Sequence, residues 1–156
     1  MLEFRHLTLK DLNNVKKYVT NKNVTRFLTW DLYKDKDKIC NYLNYAVKCN
    51  SFPDEIMGII FNNCFIGTVH LLIKNQNNVR IGFGILPDFW NKGLGYKVVQ
   101  EMIKYIKKSQ WSKNTKKISV LIHNDNIYAQ KICLKLNFKL GDKNFRENFY
   151  EYILIL

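Results

Sequence analysis

The sequence predicts a mixed α/β fold: a mostly antiparallel sheet of about seven strands flanked by about four helices. Three observations predict it. Residues 79–108, VRIGFGILPDFWNKGLGYKVVQEMIKYIKK, read as a buried strand, a glycine-containing turn and an amphipathic helix. Two β-prone runs, residues 55–61 and 64–73, are separated only by Asn62-Asn63, a pair that tolerates the left-handed torsions of a two-residue hairpin. Near the C-terminus Tyr150, Tyr152, Leu154 and Leu156 recur with a period of two, the mark of a strand with one covered face.

The elements follow in order. Residues 2–6 form a short first strand, after which Thr8 caps a helix with Asp11 in its first turn and Leu12, Val15 and Val19 on one apolar face. A second helix begins near Asp35 and Asp37, which suit the positive end of its dipole, and turns Ile39, Leu43, Ala46 and Val47 inward. Between these helices Phe27, Leu28, Trp30 and Tyr33 read as packing, with Arg26 and Asp31 as polar groups inside the aromatic cluster. The hairpin and the strand at 79–86 make an antiparallel meander. Gly82 and Gly84 interrupt that last strand and predict a bulge or a close backbone approach. Beyond the helix at 95–108 a polar connection, residues 107–117, leads to a strand at 116–123. Asp125 or Asn126 then caps a helix with Ala129, Ile132, Cys133 and Leu136 on one side, and Asn137 ends it in a left-handed conformation. Residues 138–141 and 148–156 complete the sheet.

Composition bounds the function classes. With 156 residues, 47% of them hydrophobic and 14% aromatic, the chain suits a single domain over residues 1–156. No run approaches the ~20 apolar residues of a membrane span, and residues 1–12 lack the pattern of a signal peptide, so a soluble, cytoplasmic protein without a membrane partner is expected. Cys40, Cys49, Cys64 and Cys133 lack CxxC spacing, and His6, His70 and His123 are scattered, so no metal site or disulfide framework is expected. The net charge of +12 invites a nucleic-acid reading. Lysines spread along the chain, with no arginine cluster or aromatic RNA-binding motif, argue against it.

The turn at residues 90–97 carries the chemistry. A helix N-terminus leaves its first N–H groups unpaired and attracts anions. Gly93 and Gly95 lack a Cβ, so they can take positive φ and let a phosphate approach the main chain, while Lys92 and Lys97 add positive charge. A P-loop would need GxxxxGK(S/T), and a dinucleotide fold a third glycine and a later acid; both patterns are missing.

Trp90-Asn91-Lys92-Gly93-Leu94-Gly95 resembles the acetyl-CoA loop of the GNAT superfamily of N-acyltransferases, written (Q/R)-x-x-G-x-(G/A), except at its first position. The Trp there resembles the branch that holds the bacterial ribosomal-protein N-terminal acetyltransferases. The resemblance extends over FRHLTLKDL, NVTRFLTW, FIGTVHL and HNDNIYAQKICLKLNF. It implies an acetyl-CoA co-substrate held by Ile85, Leu86, Asn91, Lys92, Gly93, Leu94, Gly95, Tyr96, Lys97, Asn126 and Lys135. The implied acceptor, a protein N-terminus or a small amine, would face Arg26, Trp30, Asp31 and Tyr150. Monomer and homodimer both remain open.

Amine acetylation needs a base for the ammonium, a donor for the oxyanion and a route for the thiolate. A backbone N–H near Ile85 is the implied oxyanion donor. The family's glutamate in the central strand is replaced by Arg80, which cannot accept a proton. His123 is the first choice for base, with His70, Glu55 and Asp31 as alternatives. Where many relatives place an acidic tyrosine, seven residues after the motif Asn126, this chain has Cys133; Tyr128 is the alternative donor. An acyl-CoA sensor without turnover and a ribosome- or RNA-binding module are the rival functions.

Overall fold

The computed structural model describes residues 1–28, 35–75, 77–113, 115–141 and 147–156. The first half runs β1 (Leu2–His6), α1 (Leu12–Val19), α2 (Lys22–Thr25), α3 (Lys36–Lys48), β2 (Asn50–Ser51), β3 (Asp54–Phe61) and β4 (Cys64–Asn75). The second runs β5 (Asn78–Ile85), α4 (Leu94–Lys108), β6 (Lys117–His123), α5 (Ile127–Lys135), β7 (Lys139–Leu140) and β8 (Phe149–Ile155), with short 3-10 turns before α1 and on both sides of α4. The sheet has the order β1-β3-β4-β5-β6-β8-β7, and β2 pairs with β3. β5 and β6 are parallel, and the β1–β3, β2–β3, β6–β8 and β7–β8 pairs are antiparallel. This is the mixed, mostly antiparallel α/β fold that the periodicities predict, with the short α2 and β2 added.

The chain forms two compact units, Met1–His70 with Phe83–Trp90, and Leu71–Gly82 with Asn91–Leu156. In the first, Asp11 organises the entry to α1. Its carboxylate accepts the Thr8 N–H at 2.9 Å and both Arg5 amino groups at 2.7 and 2.9 Å, so a buried acid has all its demands met. Asn21 caps α2 through the Asn23 N–H, and Asp35 caps α3 through the Asp37 N–H. Val15, Tyr18 and Val19 of α1 and Ile39, Leu43 and Ala46 of α3 enclose one apolar core with Ile56 and Leu86. Asn62 and Asn63 take φ of 48° and 64°, the left-handed pair expected of the hairpin.

In the second unit, α4 buries Val98, Val99, Met102 and Ile106, and β6 contributes Ile118, Val120 and Ile122. β6 pairs with β8 from Lys117↔Ile155 to His123↔Phe149, whereas its parallel register with β5 covers only Asn78↔Lys117, Val79↔Ile118 and Arg80↔Ser119. The polar connection after α4 is not all surface: it contains a 3-10 turn whose Trp111 is 1% exposed. Asn126 Oδ1 accepts the Ala129 N–H at 3.2 Å at the start of α5. At its end Asn137 has φ 64°, and the Phe138 N–H returns to the Cys133 carbonyl at 3.0 Å, a glycine-type C-cap made with asparagine.

Candidate functional site

The strand end that precedes the glycine turn is held by a set of short-range and cross-strand hydrogen bonds. The Leu86 N–H donates to the Ile66 carbonyl at 2.7 Å, the Phe89 N–H to the Leu86 carbonyl at 3.0 Å, and the Trp90 indole N–H to the Ile85 carbonyl at 2.6 Å. Gly84 shows the close approach its sequence position predicts: a Cβ there would meet the Tyr18 phenol oxygen at 2.3 Å. On the facing strand a Cβ on Gly67 would lie 2.0 Å from the Gly84 carbonyl oxygen. Tyr18 is itself buried, and its phenol is bonded to Thr68. Burial raises that phenol's pKa well above its ordinary value, so it keeps its proton.

In the second unit the residues with positive φ at the turn are Asn91, at 59°, and Gly93, at 71°. Gly95 is not one of them. It sits inside the first turn of α4, and asparagine, whose short polar side chain tolerates the left-handed region, takes the role assigned to the second glycine. Gly93 is the N-cap of α4, has no side chain to close the helix end, and leaves open space within 4 Å of where its Cβ would be. Among the described residues no acceptor lies against the amides of Leu94, Gly95 and Tyr96; the first helical bond runs from the Lys97 N–H to the Gly93 carbonyl at 3.2 Å. Leu94 is buried and anchors the turn, Tyr96 is half-buried, and Asn91, Lys92 and Lys97 are exposed.

The remaining candidates fall in different surroundings. His123 ends β6 with its ring edge-on to Phe149, centroids 5.2 Å apart, and its Nδ1 accepts the Asp125 N–H at 3.2 Å. Tyr128 is 76% exposed in the first turn of α5. Cys133 is fully buried, and burial pushes its thiol up to about 12, which makes it a core group and no donor for a leaving thiolate. Asn126 acts as the α5 cap, and Lys135 is exposed at that helix's end. Tyr150 is half-buried on β8 opposite Ile122. The Arg26 guanidinium lies over the Phe27 ring at 4.4 Å, while Trp30 and Asp31 lie outside the described residues. Glu55 is buried, with one oxygen 2.9 Å from His6 Nε2. Arg80 is paired with Glu151 at 3.2 Å.

One cluster was visible in the sequence only as an isolated histidine. In the first unit His70 Nε2 lies 2.5 Å from Asp54 Oδ1, and the Tyr45 hydroxyl donates to Asp54 Oδ2 at 2.6 Å. The His70 and Asp54 side chains are 32% and 28% exposed. Burial works to raise the Asp54 carboxyl, but the bonds from Tyr45 and His70 outweigh it and hold the group below its ordinary value. Burial also pushes up the neighbouring Tyr45 phenol and Cys49 thiol. A signal existed: Asp54 and His70 stand at nearly equal distances on either side of the Asn62-Asn63 turn, so the hairpin brings them together.

Among the described residues no helix is long and apolar enough to cross a membrane. A family model described as an acetyltransferase (GNAT) domain matches residues 1–139. No curated protein sequence matches the chain. Solved structures do. A domain from Methanocaldococcus jannaschii is 23% identical with a TM-score of 0.79, covering 100% of this chain and 99% of its own. Spermidine N-acetyltransferase from Vibrio cholerae, in complex with CoA and spermine, is 18% identical with a TM-score of 0.82, covering 99% and 95%. RimL, a ribosomal L7/L12 alpha-N-protein acetyltransferase in complex with CoA, is 14% identical with a TM-score of 0.84, covering 99% and 94%. At these identities the structures establish a shared fold, and the family model, which spans most of the sequence, establishes membership: the chain belongs to the GNAT acetyltransferase domain family.

Proposed function

We propose that residues 1–156 act as one acetyltransferase that moves an acetyl group from acetyl-CoA to a primary amine by direct attack within a ternary complex. The observation that carries this is the start of α4. It combines a left-handed Gly93 with open space above it, three amides without acceptors among the described residues, and Lys92 and Lys97 beside them. That arrangement suits a pyrophosphate. Residues 91–97 would hold the phosphates, and Asn126 and Lys135 the α5 side of the co-substrate. The thioester supplies an activated acyl carbon, so the protein's own task is to orient the amine, remove its proton and donate to the oxyanion. With Cys133 enclosed, the exposed Tyr128 is the remaining phenol donor for the thiolate.

The acceptor is a protein N-terminus or a small polyamine, the two amine classes named for RimL and the Vibrio enzyme. The enzyme acts in the cytoplasm as a monomer or homodimer. Thermal melting tests the reading: acetyl-CoA at about 100 times its Kd should raise the midpoint by roughly 5–10 °C, and ATP and NAD should not. Equal shifts with all three, or none, would remove it. The Arg80–Glu151 pair, in the strand position where the resemblance implies a glutamate, favours one rival, an acyl-CoA sensor. A melting shift without amine-dependent thiol release would identify that.

A further inference from the structure

Resting on the acetyl-transfer reading above, we propose that His70 is the base that takes the proton of the incoming ammonium, with Asp54 as the residue that fixes its tautomer and orientation. A primary amine arrives protonated near neutral pH and attacks only after losing that proton, so the site needs an accepting lone pair. Arg80 offers none.

The three imidazoles differ in what their nitrogens are committed to. In His123 the Nδ1 lone pair already accepts the Asp125 N–H, so the neutral ring carries its proton at Nε2 and has no lone pair left to use. His6 faces the buried Glu55 from β1, an edge strand that pairs with β3. His70 lies beside the ionised Asp54, so its Nε2–H donates to the carboxylate and its Nδ1 is left as an acceptor on a half-exposed ring. The carboxylate is held in place by the Tyr45 hydroxyl on its second oxygen. Asp54, Tyr45 and Cys49 are the titratable groups of the cluster.

Position supports the same assignment. His70 lies on β4, the strand whose Ile66 carbonyl receives the Leu86 N–H. Thr68 and His70, two positions apart, share one face of that strand. On that face Thr68 bonds the Tyr18 phenol, whose oxygen rests against Gly84. His70 is therefore about 7 Å along the strand from Thr68, within reach of a proton carried by one or two waters.

The step balances without another reagent. The ammonium gives one proton to His70 Nδ1, the freed nitrogen lone pair bonds to the thioester carbonyl carbon, and the carbon–sulfur bond breaks. The amide nitrogen's second proton leaves with the thiolate as the free thiol, and His70 returns its proton to water.

The test uses the purified full chain with spermidine and a short peptide with a free N-terminus as acceptors. Melting with acetyl-CoA comes first, because a parent protein that shows no shift refutes acetyl transfer itself and this role with it. With the shift present in both parent and His70→Gln, kcat/KM should fall by about 10²–10⁴-fold and the acid limb of its pH profile should disappear. Asp54→Asn should lose less, with the loss falling on kcat and the KM for the amine unchanged, a split that a merely structural residue would not give. His70→Asn checks that the effect does not depend on the glutamine. Parental turnover and pH profile in His70→Gln would overturn the base while leaving acetyl transfer standing. Nitrogen-resolved NMR of the three imidazoles decides independently of any acceptor: His70 should be protonated at Nε2 in the parent, and protonation at Nδ1 would overturn the proposal.

Discussion

The phenol oxygen of Tyr18 occupies the space a Cβ on Gly84 would need, 2.3 Å from its ideal position. Gly84→Ala therefore forces a fully enclosed side chain to move, and should cost about 1–3 kcal/mol in denaturant unfolding. Tyr18→Phe in the same chain removes the colliding atom and leaves ring carbons at 3.2 and 3.3 Å. The double variant should recover at least about 1 kcal/mol of that loss; strict additivity would show that the contact is not what excludes a side chain at Gly84.

At the start of α4 the opposite holds, since nothing lies within 4 Å of a Cβ on Gly93. Gly93→Asp should then fold, with at most about 1–2 kcal/mol of strain from its φ of 71°. It places a carboxylate where the phosphates are expected. Isothermal titration should find acetyl-CoA affinity lowered by more than about 100-fold, and an unchanged Kd would exclude the turn as the phosphate site.

Acid stability should report on Asp11. The Arg5 hydrogen bonds lead in depressing its carboxyl far below the ordinary range, against burial. A depressed folded-state pKa contributes stability above the unfolded value of about 3.9 and loses it as the pH falls through the folded one. Asp11→Asn should cost about 2 kcal/mol at pH 7, and the gap between parent and variant should narrow below about pH 4. A gap that stays constant to pH 2 would show that the ion pair contributes nothing to the acid response.

What the sequence made legible was whatever depends on local pattern. The hairpin at Asn62-Asn63, the cap at Asn126 and the left-handed Asn137 each follow from residues within a few positions of one another. Asn91 escaped because asparagine tolerates positive φ without requiring it, whereas glycine invites the inference even at Gly95, where the backbone is helical. Trp111 escaped for a different reason: one apolar residue among lysines has no period, and only the folded chain shows that it is core. The Arg80–Glu151 pair joins residues 71 positions apart, and no spacing rule connects them. In the candidate site the open start of α4 was readable because helix ends are local, while the Asp54–His70 pair needed the register of two strands.

The Trp90 indole, closed onto the Ile85 carbonyl at 2.6 Å, has a thermodynamic consequence. It turns residues 85–90 into a ring whose shape is set before any ligand arrives. Ordering six residues at the moment of association would subtract about 1–2 kcal/mol apiece from the observed affinity. Here that cost belongs to folding, so a molecule meeting this segment finds it rigid, and the affinity it shows reflects contacts made, undiminished by chain entropy lost.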